Sequence, residues 1–110
     1  MRDIKFRSWN KVNKTMYDNS IYNCKDSFDM QLKHPQIYEV MQYIGLEDKN
    51  GRKIYEGDIV KTKEHIGQII YSKGVFFIDV KGDFYLPIYN VSEFMEVIGN
   101  IYENPELLER

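Results

Sequence analysis

Hydrophobic and polar positions alternate with period two along most of the chain, the pattern of half-buried strands. Ile4 and Phe6 alternate with Lys5 and Arg7 and run toward Trp9. Asn10-Lys11-Val12-Asn13-Lys14 is rich in turn residues, so Thr15-Met16-Tyr17 is expected to return as the second strand of a hairpin. Asp18 to Gln36 is polar and weakly patterned, and Pro35 biases His34 away from helix. This stretch reads as a loop with one short helical turn around Phe28 to Leu32. A strand pattern resumes from Tyr38 to Ile44, with Tyr38, Val40, Gln42 and Ile44 on one face and Glu39, Met41 and Tyr43 on the other.

Gly45 to Asp58 holds three glycines and seven charged residues, centred on Asn50-Gly51. Such a pair supplies the positive φ of tight turns. Leu46 and Ile54-Tyr55 are apolar anchors, so the segment is expected to be an ordered loop pinned to the core, with Gly45 ending the preceding strand. From Ile59 onward short strands follow closely: Ile59 to Lys61, Gly67 to Tyr71, Val75 to Val80 and Phe84 to Ile88. Ser72-Lys73-Gly74 and Lys81-Gly82-Asp83 form the tight loops between the last three. Strands this short and this closely spaced predict a small barrel or sandwich. Val91 to Met95 allows one helical turn, then Val97-Ile98 a strand fragment that Gly99 ends. Asn104-Pro105-Glu106 opens a short C-terminal helix, with a capping side chain, a first-turn proline and an acid favoured by the helix dipole. Six residues make a marginal helix unless Leu107 and Leu108 dock.

Composition narrows the class. The 110 residues are 43% hydrophobic and 29% charged with a net charge of -2, values that fit one globular core and disfavour disorder. One domain over residues 1–110 is expected: a hairpin and loop extension at 1–37, then a barrel and tail at 38–110. No apolar run approaches the length of a membrane helix, and the N-terminus lacks a signal-peptide core. The lone Cys24 cannot form an internal disulfide. A cytosolic protein, without membrane contact, is the expectation. The charge is uneven: Met1 to Tyr17 carries five basic residues against one acid, and Val91 to Arg110 carries five glutamates against one arginine. The two ends are solvated surface or partners, within one subunit or between two copies in a homo-oligomer.

Catalytic and metal chemistry find little support. Two histidines and one cysteine show no metal-ligand spacing, and neither a phosphate loop nor a nucleophile elbow is present. Asp58 lies two residues from Glu56, but the intervening Gly57 marks a turn in which Asp58 accepts backbone N–H bonds. The expectation is a protein that is not an enzyme and carries no cofactor. Aromatic residues make up 15% of the chain, nine of them tyrosines. Arg7, Trp9 and Lys11 on one hairpin have the makings of a cation-flanked stacking surface for nucleic acid. The same rings also suit a small barrel that needs filling. Tyrosine favours half-buried interface positions, which singles out Tyr43, Tyr55, Tyr85 and Tyr89 for a contact surface.

Three segments resemble the YopX family of small phage and prophage proteins. They are Arg2-Asp3-Ile4-Lys5-Phe6-Arg7-Ser8-Trp9, the long run from Met41 through Tyr43-Ile44-Gly45-Leu46 to Gly57-Asp58-Ile59-Val60, and Glu96 to Leu108. Ile44 stands where the family more often has threonine. The resemblance implies a mainly β fold, an SH3-like barrel decorated by the N-terminal segment, and a phage or prophage setting. It implies no activity and no catalytic residue. Gly45, Asn50, Gly51, Gly57 and Asp58 read as turn chemistry, and the loop they build is either fixed by its own folding or a binding loop on a rigid scaffold. Taken together, the residues predict a non-enzymatic module that binds another protein, with a second copy of itself as one candidate and nucleic acid as the alternative partner.

Overall fold

The computed structural model describes residues 4–18, 28–80, 84–88 and 95–108. The fold is mainly β, and the chain divides into two compact units, Met1–Tyr43 and Ile44–Arg110.

The first unit opens with strands β1 (Phe6–Asn10) and β2 (Thr15–Asp18). They pair antiparallel, Trp9 opposite Met16 and Asn10 opposite Thr15. The turn between them closes because the Asn10 Oδ1 accepts the N–H groups of Val12 and Asn13 at 2.8 and 3.0 Å. Lys14, at φ 57°, then takes the left-handed conformation that reverses the chain. Helix α1 (Phe28–Lys33) ends just ahead of His34-Pro35, as the proline dictates. Strand β3 (Tyr38–Glu47) pairs antiparallel with the other side of β1, so the order here is β2-β1-β3. Ser8, Trp9 and Asn10 are buried in succession, which means that β1 is covered on both faces. Ser8 Oγ donates to Gln31 Oε1 of α1 at 2.7 Å, and both side chains are fully buried. Tyr38, Met41 and Tyr43 complete this interior.

The second unit holds the C-terminal part of β3 beside β4 (Lys53–Tyr55), followed by β5 (Asp58–Lys61), β6 (Ile66–Ser72), β7 (Val75–Val80), β8 (Phe84–Pro87) and β9 (Glu96–Asn100). The last five form an antiparallel sheet in the order β8-β7-β6-β5-β9, a small SH3-like barrel of the curled, half-closed kind. A register shift at Ile59/Val60 marks a bulge that helps β5 curl. Its inner face is lined by Ile54, Val60, Ile69, Ile78, Val80, Met95 and Val97, with Ile44, Leu86 and Ile88 packed against them. Gly67 is required here: a Cβ would stand 2.6 Å from Ile78 Cγ2 and 2.7 Å from the Asp79 carbonyl oxygen. Only a bare backbone lets β6 and β7 approach this closely.

Several boundaries differ from the sequence reading. Gly45 does not end its strand. It sits inside β3 at φ +94°, a local kink that the strand passes through. Gly99 lies within β9 as well; a Cβ there would meet the Asn104 Oδ1 at 2.6 Å. Ile54-Tyr55 is the short strand β4, where a loop anchor was expected. The C-terminal helix is a single 3₁₀ turn, Pro105–Leu108, that packs beside β6 with Leu107 and Leu108 half-buried. The expected loop at 81–83 and most of the helical turn expected at 91–95 lie outside the described residues. Among the described residues no helix is long and apolar enough to cross a membrane.

Candidate functional site

The aromatic and basic candidates divide between the two units. In the first, Trp9 and Tyr43 are 7% exposed and serve as interior packing, so neither offers a ring to a partner. Arg7 is half-buried on β1. Lys11 reaches solvent, but its Nζ is engaged by Glu39 at 3.0 Å and by the Pro35 carbonyl at 3.1 Å. In the second unit Tyr55 is 9% exposed, hence also interior. The expectation of a surface role for Trp9, Tyr43 and Tyr55 is corrected by burial: Trp9 and Tyr55 lie where consecutive strand residues are buried, which a simple alternation cannot reveal, and Tyr43 faces inward with Met41. Tyr85, at 61% exposure, is the surface tyrosine among the candidates, with its ring 5.8 Å from that of Phe77. Tyr89 lies outside the described residues.

The glycine- and acid-rich loop is organised by one buried carboxylate. Asp48 is 3% exposed. Its Oδ1 accepts the N–H groups of Asn50 and Arg52 at 2.9 and 2.8 Å, and its Oδ2 accepts that of Val97 at 2.9 Å. Burial pushes the acid upward, but the three N–H bonds from Val97, Arg52 and Asn50, aided by the Arg52 charge, outweigh it and hold the carboxyl below its ordinary 3.8. Gly51, at φ +81°, completes the turn by donating to the Asp48 carbonyl at 3.0 Å. The Lys49 N–H bonds the Met95 carbonyl at 3.0 Å, so the loop is clipped to the start of β9 at two points.

The second turn works the same way. Gly57, at φ +83°, lets the chain fold back so that the Asp58 Oδ2 accepts the Tyr55 N–H at 2.8 Å. The Gly57 N–H donates to the Ile69 carbonyl and its carbonyl accepts from Ile101. Opposite Asp58 stands Asn100, whose Oδ1 accepts from Tyr102 and Glu103 and whose Nδ2 donates to Glu103 Oε1 at 2.7 Å. Asp48, Asp58 and Asn100 are buried, and each accepts backbone N–H groups, with the Asn100 Nδ2 turned to the Glu103 side chain. That is the work of turns. Among the described residues no three His, Cys, Asp or Glu side chains gather as a metal site would need.

Exposed apolar surface collects elsewhere. An open cavity of about 280 Å³ is lined by Ile44, Leu46, Gly74, Val75, Phe76 and Ile88. Leu46 and Val75 are 41% and 50% exposed at its rim. Tyr71, 53% exposed, lies against Phe76 with ring centroids 4.9 Å apart. The cause is local: Tyr71 pairs directly with Phe76 across the β6–β7 hairpin, one step from the Lys73-Gly74 turn, where the sheet has run out of neighbours to cover it. Lys73, at φ 52°, and Gly74, at φ 83°, make that turn. Sequence reasoning passed over Tyr71 and Val75 and took Leu46 for a core anchor, whereas Leu46 is exposed. The available signal was the pair of bulky apolar residues flanking a hairpin turn, where polar residues are the norm.

The family model described as YopX protein matches residues 5–109. The chain belongs to the YopX family. The YopX chain is also similar to a solved structure, the crystal structure of protein EF1440 from Enterococcus faecalis. The two are 30% identical over 98% of this chain and 99% of that one, with a TM-score of 0.66. No curated protein matches this YopX chain. The three segments that carry the family resemblance are those in which Asp48, Asp58 and Asn100 hold turns and β1 forms the centre of its sheet.

Proposed function

We propose that this YopX protein is a non-enzymatic protein-interaction module of a phage or prophage, acting in the bacterial cytoplasm, and that the cavity beside the β6–β7 turn receives an apolar side chain of its partner. The observation that carries this is that Leu46 and Val75, two of the second unit's exposed large hydrophobics, line one concave apolar site, with exposed Tyr71 against its Phe76. Burying one branched aliphatic side chain there is worth about 1.5–3 kcal/mol, the scale of an interface anchor. Lys73 stands next in the chain to the cavity-lining Gly74, is exposed, and makes no ion pair among the described residues. The partner segment that fits carries an aliphatic or aromatic side chain with a carboxylate beside it.

A random-peptide display library screened against the full chain tests this. Enriched sequences should converge on Leu, Ile or Phe flanked by Asp or Glu. Val75→Asp should abolish the enrichment, and Lys73→Glu should turn the flanking preference from acidic to basic. Both residues are exposed, so circular dichroism of either variant should match the parent. Failure to converge, or enrichment undiminished in Val75→Asp, overturns the proposal. Pairing of the basic N-terminus with the acidic tail of a second copy draws less support, because Lys11 is ion-paired to Glu39 and Glu96 to Lys49 within their own units. The nucleic-acid alternative loses its stacking ring with Trp9 buried.

A further inference from the structure

The Asn50-Gly51 turn carries a second kind of chemistry that its structural role does not use. Of the chain's asparagines, Asn50 alone is followed by glycine; the others precede Lys, Ser, Cys, Val, Ile or Pro. Glycine leaves the next main-chain nitrogen unshielded, and a Cβ built on Gly51 would meet nothing within 4 Å. Both residues are exposed. We infer that Asn50 is a site of spontaneous deamidation, and that the Asp48-centred turn sets its rate.

The reaction needs no enzyme and no redox partner. The Gly51 nitrogen gives up its proton and attacks the Asn50 Cγ. A C–N bond forms, closing a succinimide; the Cγ–Nδ2 bond breaks, and ammonia leaves with the proton. Water then opens the ring on either side of the imide nitrogen. One opening yields aspartate. The other yields isoaspartate, in which the main chain runs through Cβ and Cγ and is one methylene longer.

In the folded turn the step is restrained. The Gly51 N–H that must lose its proton is donated to the Asp48 carbonyl at 3.0 Å, and the turn is closed again by the Asp48 N–H on the Arg52 carbonyl at 2.8 Å. A carboxylate bonded to the Asn50 and Arg52 amides adds negative charge beside the nitrogen that must become negative. The turn has to open before the nitrogen can react. The product in turn cannot refit it. An extra methylene between residues 50 and 51 shifts the Arg52 amide away from Asp48 Oδ1, and the other oxygen of that carboxylate holds Val97 on β9. Damage at an exposed turn is thereby transmitted to a strand remote in sequence.

Wild-type protein held at mildly alkaline pH, folded and in concentrated urea, tests both halves by peptide mass spectrometry with fragmentation that separates aspartate from isoaspartate. In urea Asn50 should convert faster than every other asparagine. In the folded protein it should convert at least about tenfold more slowly, because opening the turn costs its hydrogen bonds. The deamidated fraction, isolated by ion exchange, should show Val97 amide exchange faster by about tenfold or more, the equivalent of one lost bond of about 1.4 kcal/mol. Equal rates at Asn50 in the two states, or a rate in urea no greater than at the other asparagines, overturn the assignment. Unchanged Val97 exchange in the modified protein overturns the link to β9.

Discussion

Replacing Asp48 tests how much of the second unit depends on one side chain. Asp48→Asn keeps the size of the group but removes its charge and turns one acceptor oxygen into an N–H donor. Whichever way the amide is turned, a donor then faces either the Val97 N–H or the N–H groups of Asn50 and Arg52. A hydrogen bond to a charged group contributes about 1.5–3 kcal/mol, and a buried donor left unmet costs about 1–3 kcal/mol. The Asn50 and Arg52 amides belong to exposed residues and regain water, whereas Val97 is 5% exposed and does not. The expected loss is therefore about 3 kcal/mol for Asp48→Asn, and about 3–5 kcal/mol for Asp48→Ala, which removes every acceptor. That is a large share of the about 5–15 kcal/mol typical of a domain. Equilibrium urea unfolding measures it, with exchange of the Val97 amide as the local readout. The pH dependence provides a second axis. Because the folded carboxyl lies below its ordinary 3.8, its contribution is complete above the ordinary carboxyl range and disappears as pH falls through the folded value. The gap between wild type and Asp48→Asn should be widest near neutrality and shrink on acidification. A loss below about 1 kcal/mol for Asp48→Ala, the size of an ordinary surface change, would refute the clip.

Other substitutions follow from the same geometry. Gly67→Ala forces a methyl group against the Asp79 carbonyl and the Ile78 side chain, and should cost about 2 kcal/mol or more by urea unfolding, since backbone and core must both shift. Ser8→Ala removes the buried bond to Gln31 and should lower stability by about 1–2 kcal/mol in the same assay. Asn100→Ala releases the amides of Tyr102 and Glu103 and should cost about 2 kcal/mol, seen together with faster amide exchange at both. Tyr85→Ser, at a site 61% exposed, should leave the unfolding midpoint within the equivalent of about 0.5–1 kcal/mol.

Local chemistry was legible in the sequence to the extent that it acts over a few residues. The Asn10 to Lys14 turn, the helix stopped by His34-Pro35, the Ser72-Lys73-Gly74 hairpin and the acceptor role of Asp58 all follow from interactions within five residues of one another. What stayed hidden depends on distant partners. Alternation puts Trp9 and Tyr43 on a face but cannot say that the opposite face of β1 is covered too, as the burial of Ser8 against Gln31 requires. Asp48 read as one more charge in a loop, because the amide it serves lies 49 residues away on Val97. Gly99 read as a strand end because the Asn104 side chain that occupies its Cβ space is brought back only by the turn after β9. The cavity was missed for a related reason: Ile44 and Leu46 reach it from one strand, Val75 and Phe76 from another, and Ile88 from beyond a third.

The position of β9 has a consequence for how this protein is made. In the sheet it sits beside β5, yet β6, β7 and β8 all leave the ribosome before it does. During that interval a nascent chain holds β5 as a bare edge, with Ile59 and Val60, both fully buried at the end, awaiting cover. Translation pausing or truncation between β8 and β9 thus leaves a sticky strand on display, and it is there that chaperones or aggregation would compete with folding.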